Sequence, residues 1–425
     1  MLRLRIFSLV IIPLLLAACA VNPVTGDREL RLISEREEIG IGEEQYAPLR
    51  QMQGGDYQVD PGLVDYVNQV GQRVARESDR PELPYEFTVI NSSVPNAWAL
   101  PGGKIAINRG LLTEFESEAE LAAVLGHEIV HAAARHSARR MERQLILQAG
   151  VLAVAAASSD SRYAGAIVGS AAIGAGLIGQ RFSRSDELEA DEFGTLYMHR
   201  AGYHPDGAVD LMERFLRLSE DRRQGWLDGL FASHPPSRER VRANEATAER
   251  LGREGEWGRE RFESAMALLR AHQPSYDKAD TARRHLSQGE LDQALRLANE
   301  ARDQVPTEAR FHALVGDIHR ERGSHREALR HYQRAVEREA DYFQHHLMIG
   351  LTAVALADDE QARPALERSI ELLPTAPAHL ELGHIHKRAA DRDQAIRHYR
   401  IAAQSDSESG RRARAALEEM GVDFD

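Results

Sequence analysis

The stretch that decides the reading is Leu121-Ala-Ala-Val-Leu-Gly-His127-Glu128-Ile-Val-His131-Ala-Ala-Ala134, a run of helix formers without proline. Ser117, with Glu120 three residues on, predicts a capping box that opens this helix. Residues four apart share a helix face, so His127 and His131 can reach one metal ion. Glu128 is turned by about 100° from His127, which places its carboxylate beside a water at the metal instead of on the metal. Two imidazole ligands with a carboxylate base imply a zinc hydrolase. In a chain with 18 histidines the five-residue motif also arises by chance, so a third ligand is needed.

The third ligand is sought in Ser183-Arg-Ser-Asp-Glu187-Leu-Glu189-Ala-Asp191. This segment predicts a helix that ends with His199 and Arg200 in its last turn, Gly202 past the end and Pro205 beyond. Glu187 and Asp191 share a face, whereas Glu189 points about 200° away from Glu187. One carboxylate completes a His2Glu site, assigned to Glu187. The other, Asp191, receives the N–H of a ligand imidazole and fixes its tautomer. Standing alone, the segment would read first as a solvated acidic helix face.

Taken together, these two motifs resemble the metallopeptidase family that includes the CAAX prenyl protease and the HtpX heat-shock protease. Pro95-Asn-Ala-Trp98-Ala-Leu100-Pro-Gly102-Gly103 is similar to that family's N-A-F-A-L-P-G-G segment, with Trp98 in place of the usual Phe. His234-Pro-Pro-Ser-Arg-Glu-Arg240 resembles its H-P-P-x-x-x-R segment. The resemblance implies a zinc endopeptidase with one Zn2+ per chain, bound by His127, His131 and Glu187, and Glu128 as general base. It implies that substrate lies along the strand holding Trp98, Leu100, Gly102 and Gly103. Within the family, the β-barrel assembly-enhancing type has a histidine matching His234 that occupies the metal's fourth position and holds the enzyme inactive. Arg240 matches an arginine thought to assist there, by stabilising the oxyanion. For His234 a purely structural role before Pro-Pro stays open.

The N-terminus carries Arg3 and Arg5, then a nearly unbroken apolar run from Ile6 to Leu16, too short to span a bilayer. This reads as a signal peptide over residues 1–18. It ends in Leu16-Ala-Ala-Cys19, which resembles a bacterial lipobox, and Ala20 resembles an outer-membrane sorting signal. Cys19 is the single cysteine and the expected lipidation site, so no intramolecular disulfide is available to the exported chain. A net charge of −13 and a pI of about 5.8 argue against a nucleic-acid partner.

After a tether at 19–33, a helical pattern runs from Ser34 to Gly71, broken at Gly54-Gly55 and Pro61-Gly62. Ser34-x-x-Glu37 and Asp60-Pro61 mark helix starts. Tyr85–Ile90 and Lys104–Asn108 alternate as strands about a Pro101-Gly102-Gly103 turn. An edge strand beside a metal can add an extended substrate as a further strand. Residues 148–179 are rich in Ala and Gly and read either as close helix packing or as a flap over the cleft.

Beyond Pro274 a regular period appears. Gly316, Gly350 and Gly383 recur at 34 and 33, and Ala294, Ala328, Ala362 and Ala395 at 34, 34 and 33. This is the tetratricopeptide period, giving four repeats and a capping helix near Arg411–Met420. The histidines here (His312, His319, His331, His384 and His386) read as scattered solvated positions.

The expected fold is mainly α: a zincin-like metallopeptidase domain with a small β-sheet over 34–270, then an all-α tetratricopeptide solenoid over 275–425. The resemblance implies a periplasmic enzyme anchored to the outer membrane, acting on unfolded or misassembled outer-membrane proteins and meeting the β-barrel assembly machinery through its repeats. A non-catalytic chaperone working through the repeats is the alternative, against which the intact Glu128 argues.

Overall fold

The computed structural model describes residues 19–158, 181–220 and 228–424. The expected signal peptide and the second half of the Ala/Gly-rich stretch lie outside them. Among the described residues, no helix is long and apolar enough to cross a membrane. The chain divides into two compact units, one of residues 1–53 and 60–267, the other of 54–59 and 268–425.

The first unit starts with a hairpin, β1 (Cys19–Val21) antiparallel to β2 (Arg28–Leu30). Helix α1 (Glu35–Gln53) is opened by Ser34 and Glu37: the Ser34 N–H donates to Glu37 Oε2 at 2.7 Å and the Glu37 N–H to Ser34 Oγ at 3.3 Å. Helix α2 (Pro61–Ala75) is capped by Asp60, which accepts from the Leu63 N–H, with Pro at the first turn. A three-stranded sheet follows in the order β3 (Glu86–Ile90), β5 (Lys104–Asn108), β4 (Ala97–Leu100). β5 is central, parallel to β3 and antiparallel to β4, with Glu86 opposite Lys104 and Trp98 opposite Ala106. Besides the two strands read from alternation, the sheet thus contains the Asn-Ala-Trp-Ala-Leu segment, folded back on β5 through the Gly102-Gly103 turn. Both glycines have positive φ (77° and 88°), and a Cβ on Gly102 would lie 2.7 Å from Ile39 Cα. The turn therefore requires glycine.

A short helix α3 (Arg109–Leu112) leads into α4 (Glu118–Ala133), which is buried on nearly every side and is the axis of this unit. A helix apolar all round is a core helix. Ser117 Oγ accepts the Glu120 N–H as expected, but the reciprocal half of the capping box is absent. The Glu120 carboxylate instead accepts from the Glu116 N–H at 2.7 Å and pairs with the half-buried Arg214 at 2.8 Å. α5 (His136–Ser158) departs from α4 at a sharp kink. α6 (Arg184–Arg200) begins with a complete capping box between Ser183 and Asp186. It crosses α4 where Gly126 and Gly194 meet: a Cβ on Gly194 would lie 2.7 Å from the His127 amide nitrogen. α7 (Asp206–Glu220), α8 (Asp228–Ser233) and α9 (Arg238–Leu251) close the unit around the open end of α4.

The boundary between units falls inside one continuous helix, α10 (Arg259–Ser287), with Pro274 in its interior, whereas the sequence reading ends one domain at 270 and starts the next at 275. Helix pairs follow: α11 (Leu291–Gln304), α12 (Ala309–Glu321) with α13 (His325–Val336), α14 (Phe343–Ala355) with α15 (Asp359–Leu372), α16 (Ala376–Arg388) with α17 (Arg392–Ala403), and the cap α18 (Glu408–Glu419). With the second half of α10 paired to α11, these make four repeats. The period has a packing cause. A Cβ on Gly316 would press on the Tyr332 ring at 2.7 Å, on Gly350 against Leu366 at 2.5 Å, and on Gly383 against Tyr399 at 2.5 Å. Each repeat seats a large side chain of its second helix on the glycine of its first. The repeat histidines are not uniformly solvated: His312 of α12 and His331 of α13 are buried where these paired helices meet, their ring centroids 6.5 Å apart.

Candidate metal centre

The site forms where the α4–α6 crossing brings both motifs together and the loop after α8 adds a third segment. His127 Nε2 lies 3.0 Å from His131 Nε2 and 3.3 Å from His234 Nδ1. Glu187 Oε1 lies 3.5 Å from His131 Nε2 and 3.1 Å from His234 Nδ1, and Glu187 Oε2 is 3.7 Å from His127 Nε2. Four donor atoms thus lie within 4.8 Å of one another. A tetrahedral ion with bonds of about 2.0–2.1 Å needs donors about 3.3–3.4 Å apart. The spacing and the His3Glu donor chemistry fit zinc.

Asp191 stands behind His127, its Oδ1 2.9 Å from His127 Nδ1. Arg240 grips Asp191 through Nε (2.6 Å) and Nη2 (2.7 Å), while its Nη1 reaches Glu187 Oε2 at 2.8 Å and the Pro235 carbonyl at 3.1 Å. Every nitrogen of that guanidinium is engaged. This places Arg240 as a clamp on the site's carboxylates.

Burial alone would raise the Glu187 and Asp191 carboxyls; His234 and the histidine hydrogen bonds for one, and Arg240 for the other, overcome it and hold both below the ordinary range. His131 is pushed well below the usual imidazole value by burial, so it stays neutral as a ligand must. Burial would do the same to His234, but Glu187 and Glu128 outweigh it and raise the ring.

Glu128 faces the cleft. Its Oε1 is 3.6 Å from His234 Nε2, and Oε2 is buried without a hydrogen-bond partner among the described residues. Burial raises its pKa, the direction a base acting near neutral pH needs. The cleft has a cavity volume of about 50 Å³ and is walled by apolar side chains of α3, α4, α7 and α8, among them Leu111, Val124, Met212, Phe215 and Leu230.

Ala97 of β4 lines the same cleft. The Asn108 N–H donates to Asn96 O, so hydrogen-bonded pairs fall at 96/108, 98/106 and 100/104. The main-chain groups of Ala97 and Ala99 then face the other side of β4, where no described strand pairs. Trp98 and Leu100 do not reach the cleft. They pack in the core with Leu49, Ile90 and Ala106, and Trp98 meets Tyr46 edge-on at 5.9 Å. Strand alternation sends their side chains to the opposite face from the cleft, and Gly102 and Gly103 serve the turn.

Two residues near the ligands, Phe182 and His136, gave no signal in the sequence reading, and Glu189 was read only as pointing away from Glu187. Phe182 stacks on His131 at 3.9 Å. His136 Nδ1 lies 2.7 Å from His131 Nδ1, and Glu189 Oε1 lies 3.2 Å from His136 Nε2. Burial pushes His136 down to about 3.

This combination of a glutamate-bearing H-E-x-x-H helix and a carboxylate helix defines a metallopeptidase site. Residues 63–248 match the model of Peptidase family M48, and residues 279–342 and 316–377 match the tetratricopeptide repeat. The chain carries a family M48 peptidase domain followed by tetratricopeptide repeats. Relatives include the putative beta-barrel assembly-enhancing protease of Vibrio cholerae, 34% identical over 182 residues, which are 42% of this chain and 36% of the relative. The beta-barrel assembly-enhancing protease of Escherichia coli is 30% identical over 202 residues, 44% of this chain and 41% of the relative. The mitochondrial metalloendopeptidase OMA1 of Schizosaccharomyces pombe is 35% identical over 180 residues, 42% of this chain and 50% of the relative. The matched region spans half or less of each of these proteins.

Proposed function

We propose that this chain is a zinc-dependent endopeptidase of the bacterial periplasm, anchored to the outer membrane through a lipid on Cys19, that degrades unfolded or misassembled outer-membrane β-barrel proteins. The observation that carries the enzymatic reading is a buried carboxylate oxygen, Glu128 Oε2, without a hydrogen-bond partner among the described residues, beside a four-donor cluster. A scaffold has no use for it. The names of the relatives support the substrate class, and the repeats supply a surface for the assembly machinery.

Zinc, when bound by His127, His131 and Glu187, supplies a Lewis acid for the peptide carbonyl and the attacking water. The chain supplies the rest. Ala97 and Ala99 hold the peptide extended through main-chain hydrogen bonds, and the apolar wall takes a large apolar side chain beside the scissile bond. Glu128 accepts a proton from the attacking water and returns it to the leaving amine. Asp191, clamped by Arg240, keeps His127 in the tautomer that presents Nε2.

His234 Nδ1, close to the three ligand atoms, would take the fourth position of a bound ion; on this reading the enzyme is latched, and activity requires the loop after α8 to swing out. A closed donor set is also what a structural zinc site has, and this favours the chaperone as second reading. Incubating the zinc-loaded chain with an unfolded outer-membrane β-barrel protein tests both. Cleavage that is lost in Glu128→Gln and raised in His234→Ala supports the latched endopeptidase. Binding without cleavage by any variant, His234→Ala included, supports the chaperone.

A further inference from the structure

The two ligand imidazoles of α4 are oriented by different devices. His127 gives its Nδ1–H to a carboxylate, Asp191, at 2.9 Å. His131 meets no carboxylate on that side: its Nδ1 faces His136 Nδ1 at 2.7 Å, and His136 Nε2 continues to Glu189 Oε1 at 3.2 Å. Both rings are essentially inaccessible, 1% and 0% exposed, so water does not substitute for either contact.

Two ring nitrogens at that distance share one hydrogen. The Glu189 carboxylate accepts only, so the hydrogen of His136 sits on Nε2 and leaves its Nδ1 a bare acceptor. The shared hydrogen then belongs to His131 Nδ1, which leaves the lone pair of His131 Nε2 directed at the donor cluster. A single pattern of tautomers satisfies all three groups.

We infer that His136 is a positioning residue, which fixes the tautomer and ring plane of His131 so that Nε2 is presented to the metal, with Glu189 fixing His136 in turn. The inference rests on reading the four-donor cluster as a metal site.

Backbone conformation shows how a residue five positions on comes to lie there. On a continuous helix, His136 would be turned by about 140° from His131. Arg135 breaks the helix with φ of 62°, the left-handed region, at a cost of order 1–3 kcal/mol for a residue with a side chain. It is held there by a buried network: its guanidinium pairs with Glu29 at 2.7 Å, with Glu142 at 2.9 Å and with Glu38, and donates to the Ile33 carbonyl. Carboxylates from three separate segments thus maintain the kink that turns His136 back onto His131.

The test is Zn2+ affinity of the full chain by competition with a chromogenic chelator, with circular dichroism to confirm folding. Asparagine carries an amide oxygen where His136 carries Nδ1; glutamine carries its amide out where His136 carries Nε2. His136→Asn is expected to keep zinc affinity within about threefold of wild type, while His136→Gln and His136→Ala lose about 10–100-fold. Wild-type affinity in His136→Ala, or equal losses in the Asn and Gln variants, would overturn the positioning role. A wild-type chain that binds no Zn2+ would instead defeat the metal reading itself.

Discussion

The crossing of α4 and α6 sets the separation of the ligands, and Gly194→Ala tests this. The added Cβ would stand 2.7 Å from the His127 nitrogen, 2.9 Å from the Gly126 carbonyl carbon and 3.0 Å from His127 Cα. Carbon contacts relax at about 3.5–4.0 Å, so the helices must part by roughly 1 Å. Neighbouring atoms are backbone on a buried helix, so no side-chain rotation relieves the clash. His131 Nε2 and Glu187 Oε1, now 3.5 Å apart, would then sit beyond the edge length that one tetrahedral ion bridges. Overpacking of this kind costs about 1–3 kcal/mol of stability. A displacement of this size at a reacting centre costs about 100-fold in rate. Zinc titration, thermal melting and peptide cleavage of the variant measure all three. Gly40→Ala is the control: this exposed glycine of α1 has nothing within 4 Å of its added Cβ, so the change should be neutral or stabilise by up to about 1 kcal/mol. Zinc affinity and melting temperature at wild-type values in Gly194→Ala would refute the claim that this contact sets the ligand spacing.

Arg240→Ala removes the only cation between Asp191 and Glu187 that this structure describes, and should cost about 3–5 kcal/mol in denaturant unfolding of the metal-free chain. A loss under about 1 kcal/mol would contradict the clamp. In the repeats, His331 and His398 are both held down to about 4, by burial first and then by neighbouring imidazoles and arginines. Their folded values lie below the ordinary 6.5, so the unfolded chain binds more protons between the two. The second unit should therefore be fully stable above about pH 6.5 and lose stability as pH falls toward 4, with a smaller acid slope in His331→Gln/His398→Gln. Melting curves that are independent of pH across that window would sink the idea.

The parts of the site legible in the sequence are those whose geometry is local. His127 and His131 share a face whatever surrounds the helix, and the small-residue period of the repeats reports a packing rule repeated in each unit. Glu187 and Asp191 were legible as a face, and Ser183 as the start of their helix. What escaped depended on distant partners. His136 reaches His131 only because Arg135 is held in a left-handed conformation by Glu29, Glu38 and Glu142, and no spacing rule pairs residues five apart. Glu189 points away from Glu187, as its spacing requires, and the kinked start of α5 comes round to meet it. Trp98 and Leu100 looked like substrate contacts through their motif, whereas alternation on a buried edge strand turns them inward. The unbroken helix across Pro274 was hidden because proline in a helix reads as a boundary.

The claim on which everything else stands is that His127, His131 and Glu187 hold one metal ion. A crystal of the zinc-loaded chain, measured at the zinc absorption edge, tests it directly. The account predicts a single anomalous peak within about 2.0–2.2 Å of His127 Nε2, His131 Nε2 and a Glu187 oxygen, retained in Glu128→Gln. No peak among these residues, or a peak held by other side chains, would contradict it.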